Sequence, residues 1–238
     1  MTLKALGIAV FGAAAILYGV IALLWHDADT WQSLHRLLET PTTAIAGNAL
    51  MLLSVVAGIA LLVTPVRRFG AIGLAVAFAC GALVAAVAAV ANVMDYDAFF
   101  EQLSMLCGAL ALRNVRFARI GFGLSVVSFT VTQAIHLGGT ARLVPKWLPP
   151  GQMFWAILTT VAFALAAIAI LTNLRATLAL RLTACMTAVF GLFVWLPILI
   201  QAPYAHLAWS EFAITVLVTG AALCVSEAQT SSDVSHLF

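Results

Sequence analysis

The sequence predicts an all-α, polytopic membrane protein with eight transmembrane helices arranged as two tandem, parallel four-helix bundles. Three observations lead there. Residues of the hydrophobic set make up 64% of the 238 positions and charged residues only 8%, against about 45–50% and about 25% in ordinary soluble domains. Nine acids and eleven bases cannot supply a polar shell for a soluble chain of this length, so lipid must solvate most side chains. Finally, the charges fall at intervals that cut the chain into long uncharged runs, and the bases among them are strongly sided.

In chain order, the uncharged runs are 5–25, 40–66, 69–94, 102–112, 120–141, 147–174, 182–210 and 212–226. Six of them reach the roughly 17–25 residues that a helix needs to cross the hydrocarbon core. The first, Ala5 to Trp25, is longer than the apolar segment of a secretory signal. It is followed by His26 and Asp27 rather than by small residues, so it reads as a retained span. The two short runs, 102–112 and 212–226, reach about 17–20 residues when extended outward past Glu101 and Glu211. Pro41, Pro65, Pro145, Pro149, Pro150, Pro197 and Pro203 punctuate the boundaries.

Eight spans with an inward N-terminus place Lys4, Arg67, Arg68, Arg113, Arg116, Arg119, Arg175 and Arg181 inside. Arg36, Arg142 and Lys146 then lie outside. Deleting the weak fourth span would leave more bases outside than inside, against the positive-inside rule. Both termini are therefore expected in the cytoplasm, with the chain in a bacterial inner (plasma) membrane.

The halves resemble each other. Gly7 matches Gly121, Ile59-Ala60-Leu61-Leu62 matches Ile168-Ala169-Ile170-Leu171, and Phe100-Glu101 matches Ser210-Glu211. Four spans return the chain to its starting side, so the copies are parallel, which is not the inverted arrangement of many transporters. The expected division is residues 1–114 and 115–228 as the two membrane repeats, with 229–238 as a polar cytoplasmic tail.

In the second copy, Leu143-Val144-Pro145-Lys146-Trp147-Leu148-Pro149-Pro150 precedes a Phe154-Trp155 start and an alanine-rich helix. A basic turn, a helix carrying Leu196-Pro197 and a last helix entered through His206 and Glu211 follow. This layout, over about residues 116–228, resembles the DoxX/DoxD family of small bacterial membrane proteins. The resemblance implies a four-helix bundle and an association with membrane redox work, as a subunit linked to quinone reactions or to assembly of a redox complex. It supplies no catalytic motif.

Polar groups that could carry chemistry gather toward the outer edge. Asp97 and Glu101 are four apart, on one helical face, and two carboxylates so placed could relay a proton or hold a cation. The same pair fits a helix start, with Asp97 as cap and Glu101 near the positive end. Glu101 and Glu211 occupy equivalent places in the copies. His26, His136 and His206 could ligate a metal or haem, or simply sit at the membrane–water boundary. Trp25, Trp31, Tyr96, Trp147, Trp155, Tyr204 and Trp209 form an interfacial belt on which a quinone could stack. Cys80, Cys107, Cys185 and Cys224 lie in apolar stretches without metal-binding spacing.

The leading functional expectation is an accessory or assembly subunit of a membrane redox system. Two alternatives stand beside it. One is an oxidoreductase binding quinone, haem or metal at His136, His206, Glu211, Glu101, Asp97 and His26. The other is a small-solute or ion carrier using Glu101 and Glu211. A net charge of +2 gives no case for nucleic acid.

Overall fold

In lipid, a backbone amide has no water to bond, so each apolar run must close its hydrogen bonds within itself as a helix. The computed structural model, which describes residues 2–25, 41–111 and 113–235, follows this rule. Its helices are α1 (Leu3–Trp25), α2 (Pro41–Leu62), α3 (Arg67–Ala91), α4 (Tyr96–Leu110) and α5 (Val115–Ile135). After these come the short α6 (Leu137–Leu143), α7 (Gln152–Leu171), α8 (Ala176–Phe190), α9 (Leu196–Gln201) and α10 (His206–Ser235). A π turn at Gly191–Trp195 joins α8 to α9. Pro197 has no amide to give the carbonyl of Phe193 four residues back, which accounts for the irregular turn there.

Among the described residues, seven stretches are long and apolar enough to cross a membrane: α1, α2, α3, α5, α7, α8 through α9, and α10. The chain is a multi-pass, all-helical membrane protein. The remaining expected span corresponds to α4, at 15 residues. Its length is about 22 Å at 1.5 Å per residue, short of the roughly 30 Å hydrocarbon core. A 3₁₀ turn at Val93–Asp95 sets its start.

Helix α1 ends at Trp25 as expected, but several other helices run past a charge that was taken to end a span. Helix α5 begins at Val115, not near residue 120, and so carries Arg116 and Arg119 within it. Asn114 caps it by accepting from Phe117 N at 3.0 Å. Helix α8 includes Arg181, and α10 includes Glu211 and Glu227 and runs on to Ser235. The expected single span 182–210 is broken before α10 around Pro203.

Small residues set how the helices pack. A Cβ on Gly58 would lie 2.9 Å from the carbonyl oxygen of Gly12, so α1 and α2 cross with their backbones nearly touching. Helix α10 packs against α1, α4, α5 and α8, while α2, α3 and α4 follow one another in contact, as do α5, α7 and α8. A Cβ on Gly220 would meet the backbone N and Cα of Phe11 at 2.6 Å, and one on Gly108 would meet Ala221 Cβ at 2.6 Å. Ala213, Leu217, Ala221 and Val225, spaced four apart along α10, are all fully buried.

Candidate functional site

Two polar zones lie at opposite ends of the bundle, one rich in aromatics and one rich in arginine. At the aromatic end, α1 finishes with Trp25 and α10 starts with His206, and the packing of these helices stacks the two rings. Their centroids are 4.5 Å apart and the planes 15° from parallel. Trp209, one turn along α10, lies 6.4 Å from Trp25 and donates its indole N–H to Pro203 O at 2.9 Å. Trp155 repeats the device six residues after its own proline, donating to Pro149 O at 2.9 Å.

The sequence-predicted residues divide accordingly. His206 is half-buried against Trp25. His136 is exposed at the junction of α5 and α6, where its carbonyl accepts from Thr140 N. His26 and Trp31 lie outside the described residues. Asp97 Oδ1 accepts from Ala98 N at 2.8 Å, so this carboxylate turns back onto the start of its own helix. Glu101 and Glu211 are half-buried, on α4 and α10 respectively. Nearby, the hydroxyls of Tyr96 and Thr132 share a hydrogen bond of 2.8 Å that ties the start of α4 to the end of α5. Among the described residues, no three of His, Cys, Asp and Glu come together as a metal set.

Inside the span region, polar side chains bond across helices. Gln102 Nε2 donates to Tyr18 Oη at 3.3 Å with both residues buried. Gln102 also occupies the space left by Gly81, where a Cβ would lie 2.6 Å from its Oε1. Thr187 and Thr219 share a 2.8 Å hydrogen bond between α8 and α10, and Thr160 donates to Gln133 at 3.2 Å between α7 and α5. All four cysteines are free thiols, with Cys107 buried and Cys185 exposed.

The basic end holds groups that reading the sequence did not single out. Arg67 Nε donates to Leu61 O at 3.2 Å, on the last turn of α2. Arg119 reaches across from α5 to the last turn of α7, donating to Ile170 O and, at 3.2 Å, to Leu171 O. Both arginines therefore satisfy terminal carbonyls and oppose the negative end of a helix dipole. Arg181 on α8 pairs with Glu227 on α10 at 2.8 Å and contacts Thr230 Oγ1 at 3.4 Å. Glu227 also lines a narrow recess with Lys4, Phe11, Leu61 and Cys224, which brings α1 and α2 to the same end. In the turn before α8, Asn173 and Arg175 hold φ of 60° and 54°, and Gln229 Nε2 bonds Asn173 Oδ1 at 3.3 Å.

One sequence signal could have found the Arg181–Glu227 pair. The two residues have opposite charge and border apolar runs, Arg181 before 182–210 and Glu227 after 212–226, and a charge at the edge of lipid gains from a partner. No family model, curated protein or solved structure matches the chain.

Proposed function

We propose that this chain is built of two tandem four-helix modules, α1 to α4 and α5 to α10, in a bacterial inner membrane with cytoplasmic termini. It serves there as a DoxX-like accessory subunit that packs beside a membrane redox enzyme. The observation that carries this reading is the interior itself. At Gly12, Gly58, Gly108 and Gly220 neighbouring helices approach until no side chain fits between them, as suits a rigid packing element.

The modular reading has its own support. Exchanging α1 with α5 and α4 with α10 turns the α1–α10 contact into the α5–α4 contact, and α4–α10 into itself. Gly7 and Gly121, matched between the halves, lie at these two exchanged contacts. A Cβ on Gly7 would meet Leu223 Cβ at 2.9 Å, and one on Gly121 would meet Cys107 Sγ at 2.5 Å. The redox partner is suggested by the family resemblance of residues 116–228. In that segment the Val144–Pro150 loop is closed by Gln152 donating to Val144 O and Trp155 to Pro149 O.

Isolation in mild detergent after cross-linking in membranes tests the role. The expected result is a stoichiometric membrane partner with quinone-linked activity that falls when this chain is deleted. Recovery of the chain alone, with respiratory and thiol-redox activities unchanged in the deletion strain, would overturn it.

A further inference from the structure

The turn between α7 and α8 leaves an open recess of about 570 Å³ on the molecule's surface, lined by Asn173, Arg175, Ala176, Thr177, Leu178 and Arg181. That volume falls within the ~300–1,000 Å³ typical of small-ligand sites. One wall is polar, with the exposed Arg175 and the partly exposed Arg181. The other is apolar and faces outward: Leu178 is 48% and Leu182 59% exposed, one turn apart on α8. A guanidinium pair at the bundle's basic end is thus continuous with a hydrocarbon stripe running into the span.

We propose that this recess binds the phosphate of an anionic phospholipid, with an acyl chain lying along Leu178 and Leu182. Arginine matches phosphate oxygens with its planar fork of donors, and basic pockets at the cytoplasmic side of helix bundles suit anionic headgroups. The local charge favours an anion. Arg175 and Arg181 line the recess, and the carboxylate paired with them among the described residues is that of Glu227, which holds Arg181 Nη2 at 2.8 Å. The site rests on the membrane fold alone and does not depend on a redox partner.

Native mass spectrometry of the full chain in neutral detergent tests it, with dioleoyl phosphatidylglycerol, dioleoyl phosphatidylcholine and inorganic phosphate as separate probes. Saturable retention of phosphatidylglycerol over phosphatidylcholine is expected. Arg175→Gly should weaken it about fivefold, the equivalent of one basic residue at a membrane surface, and Arg175→Lys should retain it. Glycine accepts the left-handed backbone at this position, so Arg175→Gly keeps the fold. Equal retention of the two lipids, or no effect of Arg175→Gly, would overturn the site. Inorganic phosphate competing as well as phosphatidylglycerol would assign it to a free anion and overturn the lipid.

Discussion

Helices α7 and α10 are both apolar spans, yet α10 is 67% buried over its most apolar window and α7 only 22%. The more hydropathic of the two is the more exposed. Water would sort them the other way, but lipid gives no reward for hiding leucine. Leu165 and Ile168 of α7 are therefore about 60% exposed, while α10 buries Ala213, Ser210, Gly220, Ala221 and Ser226. The interior of α10 thus mixes small and polar residues with Leu217 and Val225, whereas the outward side of α7 is built of large aliphatics.

That contrast can be broken most severely at Gly220. Gly220→Val would drive a side chain into the backbone of Phe11 and should cost more than about 3 kcal/mol, the upper end for overpacking. Leu165→Val on α7 should stay within about 0.5 kcal/mol. Thermal unfolding in detergent, followed by size-exclusion chromatography, compares the two, and equal losses would remove the distinction between these helices.

Next in size is the ion pair that fastens α10 to α8. Glu227→Gln leaves Arg181 without its carboxylate. It should cost about 1–2 kcal/mol, less than a fully buried pair because Arg181 is partly exposed. Adding Arg181→Gln should recover part of the loss, a coupling read from a double-mutant cycle. Additive losses would show that the pair contributes nothing.

A smaller effect is expected from Thr187→Val, which deletes the buried hydroxyl pair with Thr219 and should cost about 0.6 kcal/mol, the average for polar contacts between membrane helices. At the aromatic end the parent is compared with the double variant Glu101→Gln, Glu211→Gln in a transport assay. Neither protein should drive pH-dependent solute uptake in proteoliposomes. Uptake that the double variant abolishes would replace the packing role with a carrier.

The apolar runs made the helices legible, because their length and lack of charge leave the backbone no other solution. Their ends were less legible, and Arg119, Arg181 and Glu227 show why. Each was read as a place where a span stops, since a lone charge avoids lipid. In the fold none is alone: Arg119 bonds the carbonyls closing α7, and Arg181 and Glu227 hold each other. Such compensation comes from a neighbouring helix, and a single run of sequence carries no sign of it. The aromatics could be read from the sequence as a belt, an expectation; the stacking of His206 on Trp25 could not, because it depends on α1 lying beside α10, a contact between distant segments. Asp97 could be a cap or half of a carboxylate pair, and its bond to Ala98 N places it on the helix start.

The position of α10 in the chain also bears on how the molecule is made. This helix touches α1, α4, α5 and α8, and all four leave the ribosome before it. Some 180 residues separate the end of α1 from the start of α10, roughly 10–40 s of synthesis at ~5–20 residues per second. Throughout that interval the glycine-notched side of α1 around Phe11 lacks its eventual neighbour. Nascent chains halted before residue 206 should accordingly be held by the insertion machinery or degraded, since assembly waits on its keystone.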